Sequence, residues 1–202
     1  LDNKRVPITK ADRTRGKYPY YGASGIVDYV ADYIFDGDTL LISEDGANLL
    51  ARSTPIAFPA SGKYWVNNHA HILKFEDITT QRFVELYLES IPLDDYITGA
   101  AQPKLNQQAL NSIPMPYPPL PEQQRIVGIL DQAFAGIATA KANAEKNLQN
   151  ARTLFESHLQ SVFTQRGDGW IRKKLGDVFK TSTGSTPPKN NSEFYGSFMP
   201  LV

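Results

Sequence analysis

The residues Arg13-Thr-Arg-Gly-Lys-Tyr-Pro-Tyr-Tyr-Gly-Ala-Ser-Gly25 place three cations, three tyrosines and three glycines in thirteen positions. Arginine and lysine bring charge and hydrogen-bond donors, tyrosine a flat face with a hydroxyl tip, and glycine a backbone that a partner can approach closely. Together these are the chemistry of nucleic-acid contact. The plainer reading is a surface turn entering a strand. Lys4, Arg5 and Lys10 extend the basic segment, and only Asp2 and Asp12 oppose it nearby. Arg13, Arg15 and Lys17 are therefore candidates for phosphate or guanine contact, with Tyr20, Tyr21 and Ser24 against sugar, phosphate or base edges. Tyr18 is assigned to packing.

Other chemistry-bearing clusters are weaker. Gln102, Lys104, Asn106, Gln107 and Gln108 surround Pro103, and side-chain amides can bond adenine bidentately. His69 and His71 alternate by two, so a strand would put them on one face, as metal ligands sometimes are. With three histidines, no cysteine and no third ligand at motif spacing, structural hydrogen bonding with Asn67 and Asn68 is the preferred reading, and no metal is expected. No dinucleotide fingerprint, P-loop, amino-methyltransferase motif or nuclease carboxylate cluster is recognisable.

The elements that must position these residues fall into three pieces. Lys+Arg and Asp+Glu balance at 21 each among 202 residues, so a polyanion would be met by a local patch rather than by the net field. The absence of cysteine excludes disulfides, and no apolar run reaches membrane-spanning length. Both ends read as cut. Residues 1–118 predict a β-rich α+β domain. Its strands are expected at Ile26–Phe35, Thr39–Ser43, Pro55–Phe58, Tyr64–Val66 and His71–Phe75, with turns at Asp36-Gly-Asp38, Asp45-Gly46 and Ser61-Gly62. A helix capped by Thr80 and ended by Pro92 interrupts them.

Pro114-Met-Pro-Tyr-Pro-Pro-Leu-Pro121 reads as a stiff extended connector. From Glu122 to Thr164 the spacing of Ile126, Leu130, Ala133, Ile137, Ala140, Ala144 and Leu148 predicts one amphipathic helix on the order of 60 Å long. Such a helix needs a partner helix, and its alanine-rich stripe allows close approach. Residues 119–166 thus form the connector and rod, and 167–202 read as the truncated start of a second domain, beginning with an entry strand.

Several quoted elements occur together in the order of one known family. Pro118-Pro-Leu-Pro-Glu-Gln-Gln-Arg-Ile-Val127, Gly99-Ala-Ala-Gln-Pro-Lys-Leu-Asn106 and Ile113-Pro-Met-Pro116 resemble signatures of the DNA-specificity subunits of type I restriction-modification systems. Tyr18-Pro-Tyr-Tyr-Gly-Ala-Ser-Gly-Ile26, Ser43-Glu-Asp-Gly-Ala-Asn48 and Val66-Asn-Asn-His-Ala-His71 resemble one recognition-domain subtype of that family. Trp170 with Leu175-Gly-Asp-Val178 and Gly184-Ser-Thr-Pro187 resembles the opening of a further domain. The first domain lacks that Trp-containing opening.

The resemblance implies a targeting subunit without catalysis of its own, reading half of a bipartite site in double-stranded DNA. Methyltransferase subunits, two copies around the helix pair, and restriction subunits would then methylate adenine or cleave. S-adenosylmethionine, ATP and magnesium would belong to those partners and no cofactor to this chain. A prokaryotic cytoplasm, no membrane contact and self-association through the helix are also expected. An element shared by domains that read different sequences is better suited to positioning, so Gln102 and Lys104 are assigned there. Sequence discrimination is expected around Arg52, Ser53 and Thr54 and at Ser61-Gly-Lys63. The competing reading is a coiled-coil adaptor whose β-rich head binds a protein or glycan. Steep loss of DNA affinity with salt would separate the two.

Overall fold

The computed structural model describes residues 1–99, 101–184 and 186. It falls into two units, Leu1–Ala142 and Asn143–Val202. The division between these units lies inside the long helix.

The first unit is mixed α and β, and it is organised around a strand without a wet face. Strands β1 (Arg15–Gly22), β2 (Gly25–Val30), β3 (Phe35–Asp36), β4 (Thr39–Ser43), β5 (Ala57–Ala60), β6 (Lys63–Val66) and β7 (Ala70–Leu73) form two sheets. One has the order β2-β1-β6-β3, and the other β5-β4-β7. Every residue of β4 is buried. Leu40 and Ile42 join Leu49, Ile56, Val84, Leu88, Leu93 and Leu105 in one core. The alternate residue Leu41 joins Phe35, Tyr64, Val66, Ala70 and Ile72 in the other. That is why Thr39-Leu-Leu-Ile-Ser43 reads as a continuous apolar run.

Helix α2 (Ile78–Ser90) covers the first core. The predicted Thr80 cap is corrected: Asp77 caps the helix, its carboxylate accepting from the amides of Thr79 and Thr80. Thr80 is buried and donates instead to the Gln123 side chain at 2.9 Å. Two short helices, α1 (Asn48–Ala51) and α3 (Gln107–Ser112), were not foreseen. The strand expected over Ile26–Phe35 is divided into β2 and β3, and the basic Tyr-Gly segment is itself strand β1 with a turn at Ala23-Ser24.

Helix α4 (Leu120–Thr164) is continuous and starts inside the proline connector. Pro121 fits there because the first-turn amides have no intrahelical acceptor. Its first turns rest on α2: Gln123 is buried, and Arg82 donates to Asp131 at 2.6 Å. Ile126 and Leu130 border a shallow apolar notch with Phe83, Leu86 and Tyr87. These two assigned helix-pairing residues therefore face their own head. The second unit contains the remainder of α4 and the single turn α5 (Leu175–Val178). The entry strand expected after residue 167 is absent among the described residues; Leu175-Gly-Asp-Val178 is helical, with the Lys174 amide donating to Asp177. Residues 187–202 and Ser185 of the Gly184–Pro187 element lie outside the described residues.

A buried ionic cluster ties the N-terminal segment to β4 and β7. His71, 1% exposed, places Nδ1 at 2.5 Å from Asp2 and Nε2 at 2.7 Å from the Leu105 carbonyl. Both ring nitrogens face acceptors, an arrangement that favours the imidazolium, in which both can donate. Arg5 donates to Glu44 at 2.5 Å and to the Ala70 carbonyl at 2.7 Å. Burial alone would lower the His71 pKa, but the bonds to Asp2 and Leu105 and the charges of Asp2 and Glu44 raise it. Burial would raise Asp2 and Glu44, yet His71 and Arg5 hold both carboxyls below their ordinary values.

The signs fix a stability window. The His71 contribution is fully present below the ordinary histidine value of about 6.5 and is lost as pH rises through the raised folded value. The Asp2 and Glu44 contributions are lost as pH falls through their lowered folded values. Thermal melting across pH should therefore show a plateau that falls at both ends. Replacing His71 with alanine should cost about 3–5 kcal/mol and remove the alkaline fall. A pH profile identical to wild type in that variant would show that the cluster does not set the window.

Candidate nucleic-acid interface

The assigned DNA-binding residues are distributed along β1 and over the loops beside it. β1 has eight residues, so its ends lie about 23 Å apart at 3.3 Å per residue. Arg15 stands at one end and the Ala23-Ser24 turn follows the other. Residues Arg13 through Ser24 are thus spread along the whole of β1, from one place at its start to a second at its end.

At the first place, some cations are free and others are committed. Arg13 donates to Asp28 at 3.1 Å and to the Ile8 carbonyl at 3.3 Å, and its guanidinium lies 4.5 Å from the Tyr20 ring centroid. Tyr20 is 1% exposed, and its hydroxyl accepts from the Ile8 amide at 3.0 Å. The assignment of Tyr20 to a DNA surface is therefore corrected, because no face of it is accessible. Tyr21 is partly buried between Phe58 and Tyr64. Gly16 meets a close backbone approach, since a Cβ there would lie 2.3 Å from the Cα of Ala31.

Arg15 and Lys17 are exposed. The Lys17 ammonium lies 5.3 Å from the Tyr18 ring centroid, Tyr18 stands 5.0 Å from Tyr33, and the Lys63 ammonium lies 4.5 Å from Tyr33. Lys17 and Lys63 are thereby joined through two tyrosines into one exposed basic and aromatic strip. A hydrogen bond to Tyr33 holds the Lys63 ammonium above its ordinary pKa. The sequence pointed to both lysines, but nothing local marked Tyr33 as the link.

At the second place, three of the family-like segments converge. Ser43 Oγ donates to the Ala23 carbonyl, the Asn67 amide donates to Tyr21, and the Glu44 amide donates to His69. Asn67 accepts from the His69 amide at 2.8 Å, the asparagine-held turn anticipated from the sequence. The fourth segment closes beside them. Thr98 and Lys104 exchange backbone hydrogen bonds, Leu105 donates to the Glu44 carbonyl, and Gly46 donates to Pro103. Gly99 has φ +87 and sits against the Gln102 carbonyl, so this loop requires glycine there. Asn106 caps α3 through the Ala109 amide. Ser24, Asn68, Gln102 and Lys104 are exposed and His69 is half-exposed, bonded through Nδ1 to Asp45 at 2.7 Å.

The Arg52 region is more committed than anticipated. Arg52 has φ 48 and donates to the Leu88 and Ile91 carbonyls at 3.3 and 2.8 Å, satisfying the C-terminal end of α2. Ser53 is exposed but donates to Asn48 at 2.9 Å. The nearest arrangement to a metal centre among the described residues is Asp2, Glu44 and His71. The Arg5 guanidinium already occupies the Glu44 carboxylate, and both His71 nitrogens have hydrogen-bond partners, so this cluster is satisfied without a metal.

The geometry has counterparts among known proteins. A putative type I restriction enzyme specificity subunit of Haemophilus influenzae is 39% identical over 135 residues, which cover 67% of this chain and 34% of that protein. The MjaIX specificity subunit of Methanocaldococcus jannaschii is 24% identical, with 93% of this chain and 50% of that protein covered. A solved chain from a type I restriction-modification complex has a similar fold, with a TM-score of 0.62 at 19% identity over 82% of this chain and 43% of its own. The chain thus spans between about a third and a half of the length of these relatives. The family model for the type I restriction modification DNA specificity domain matches residues 1–149, and on that match the chain belongs to this family.

Proposed function

We propose that the head reads half of a bipartite target in double-stranded DNA and directs adenine methylation or cleavage by partner subunits, with no catalysis of its own. The observation that carries this reading is the pairing of family membership over residues 1–149 with a head whose uncommitted cations stand beside aromatic and amide side chains. Cofactors, S-adenosylmethionine, ATP and magnesium, belong to the methyltransferase and restriction partners in this reading. Methylation mapping in cells carrying the complete system tests it: a split motif lost on deletion of this chain supports it, and an unchanged methylation pattern overturns it.

The free cations divide from the committed ones in binding. Arg15→Ala and Lys17→Ala should each weaken binding to all duplexes alike and lower the salt slope by about one unit. Arg13→Ala should instead lower the melting temperature with the slope unchanged, because its partners are Asp28, Ile8 and Tyr20. Fluorescence anisotropy across a salt series, beside thermal melting, separates the two effects. Full slope in both Arg15→Ala and Lys17→Ala would remove the basic strip from the interface.

The rod supplies the partner surface. Beyond the head, Ile137, Leu148 and Phe155 are 63%, 55% and 67% exposed. Two antiparallel copies centred on Ala144 would set Ala133 opposite Phe155, Ile137 opposite Ala151 and Ala140 opposite Leu148. Each large side chain meets a small one, which supports a second copy of this helix as the occupant. Replacing Ala140 and Ala144 together with glutamate should convert a sedimenting dimer to monomer through buried charge. Wild-type protein that stays monomeric at all concentrations would exclude self-pairing and leave a second spacer helix of a longer chain as the partner.

A further inference from the structure

An open recess of about 570 Å³ lies between α2 and the first turns of α4. Its lining includes Ile78, Gln81, Arg82 and Glu85 of α2 and Val127 and Asp131 of α4, and it shares no residue with the basic strip or with the loops around Glu44. Arg82 spans the two carboxylates but engages one oxygen of each. Asp131 Oδ1 accepts from Nε and Nη2 at 3.0 and 2.6 Å, and Glu85 Oε1 accepts from Nη1. Among the described residues, no donor is bonded to Glu85 Oε2 or Asp131 Oδ2. Two carboxylates thus share one guanidinium. Burial, with the charges of Glu89 and Asp131, holds the Glu85 carboxyl above its ordinary pKa against the opposing pull of Arg82. The recess is short of positive charge.

Gln81 supplies an independent observation. It is 3% exposed, yet its side-chain amide has no hydrogen-bond partner among the described residues. No fully enclosed side-chain polar atom there lacks a partner, so the unbonded amide is the part of Gln81 that stays accessible, at the recess it lines. A buried amide in that condition is satisfied only from outside the fold.

We propose that this recess receives one basic side chain, arginine or lysine, of a partner polypeptide, its charge held by Glu85, Asp131 and the Gln81 amide oxygen and its stem along Val127 and Ile78. The inference is independent of the DNA-reading role. A second cation matches the second carboxylate, and three uncommitted acceptors suit the several N–H donors of a guanidinium or ammonium. Ile78 stands beside them 62% exposed. A free ion has no use for that apolar edge, whereas a side chain carried on a polypeptide brings methylenes and neighbours that cover it.

The test follows the isotope-labelled full chain by NMR while N-acetyl-arginine amide, its neutral citrulline counterpart, magnesium chloride or spermidine is added. Saturable shifts of the Gln81 side-chain amide are expected with the arginine probe and not with the citrulline probe. Gln81→Met should weaken arginine binding about tenfold without lowering the melting temperature, because the side chain gives up no internal hydrogen bond. Wild-type protein with no saturable shift, or with equal shifts for the citrulline probe, overturns the inference. Unchanged binding in Gln81→Met overturns it as well, and so does a markedly lower melting temperature, since the amide would then serve the fold. Tighter binding of magnesium or spermidine than of the arginine probe would make the occupant a metal ion or a free polyamine and overturn the polypeptide assignment.

Discussion

The carboxylate of Glu44 lies where β4 leaves the core, and much of the head is arranged to keep it satisfied. A strand buried on both faces has no polar exit of its own, so the first acid beyond it enters an environment of low dielectric where an unpaired charge is costly. Arg5 supplies one partner from the N-terminal segment, His71 stands near from β7, and Lys104 comes from the loop before α3. Each partner fixes a different piece of chain at the same end of the sheet. The loops that approach one another there are thus positioned by charge neutralisation as much as by packing.

Some of this was legible in the sequence and some was not, for physical reasons. The run Thr39-Leu-Leu-Ile-Ser43, the turns at Gly37 and Gly62 and the long helix were readable because local chemistry alone dictates them: doubly buried strands are continuously apolar, positive φ favours glycine, and proline-free helical periodicity persists. Cation roles are decided at long range instead. Arg13 finds Asp28 fifteen positions away, and Arg52 finds carbonyls thirty-six and thirty-nine away. Composition counts such residues as available charge. Strand parity also failed for β1, where register irregularities between Arg15 and Tyr18 and between Tyr20 and Tyr21 break the simple alternation that would assign faces.

The same long-range commitment alters the meaning of the helical stripe. Ile126 and Leu130 continue the periodicity of Ala133, Ile137 and Ala140, and nothing in that pattern marks a change of partner. The change comes from Arg82 and Thr80 on α2, whose bonds to Asp131 and Gln123 dock the first turns of α4 on the head. The docked turns of α4 thus use their apolar positions on the head, and only the positions beyond them are left for another helix. Alanine at the following positions suits close approach of a neighbour, while the large residues beyond them fill the space that alanine leaves.

The proposed DNA reading is compatible with a neutral net charge only if the head segregates its charges. On the β1 side, Arg13 is neutralised by Asp28, while Lys17 and Lys63 stand over tyrosine rings that place no formal charge against them. At the loop rim, the carboxylates of Asp2 and Glu44 are answered by Arg5, His71 and Lys104. Charge balanced in this way leaves the long-range field weak, so contact with a polyanion would depend on close docking. Under the proposed DNA-reading role, such a head would gain little from nonspecific attraction, and its discrimination would have to come from the fit of its surface to one duplex.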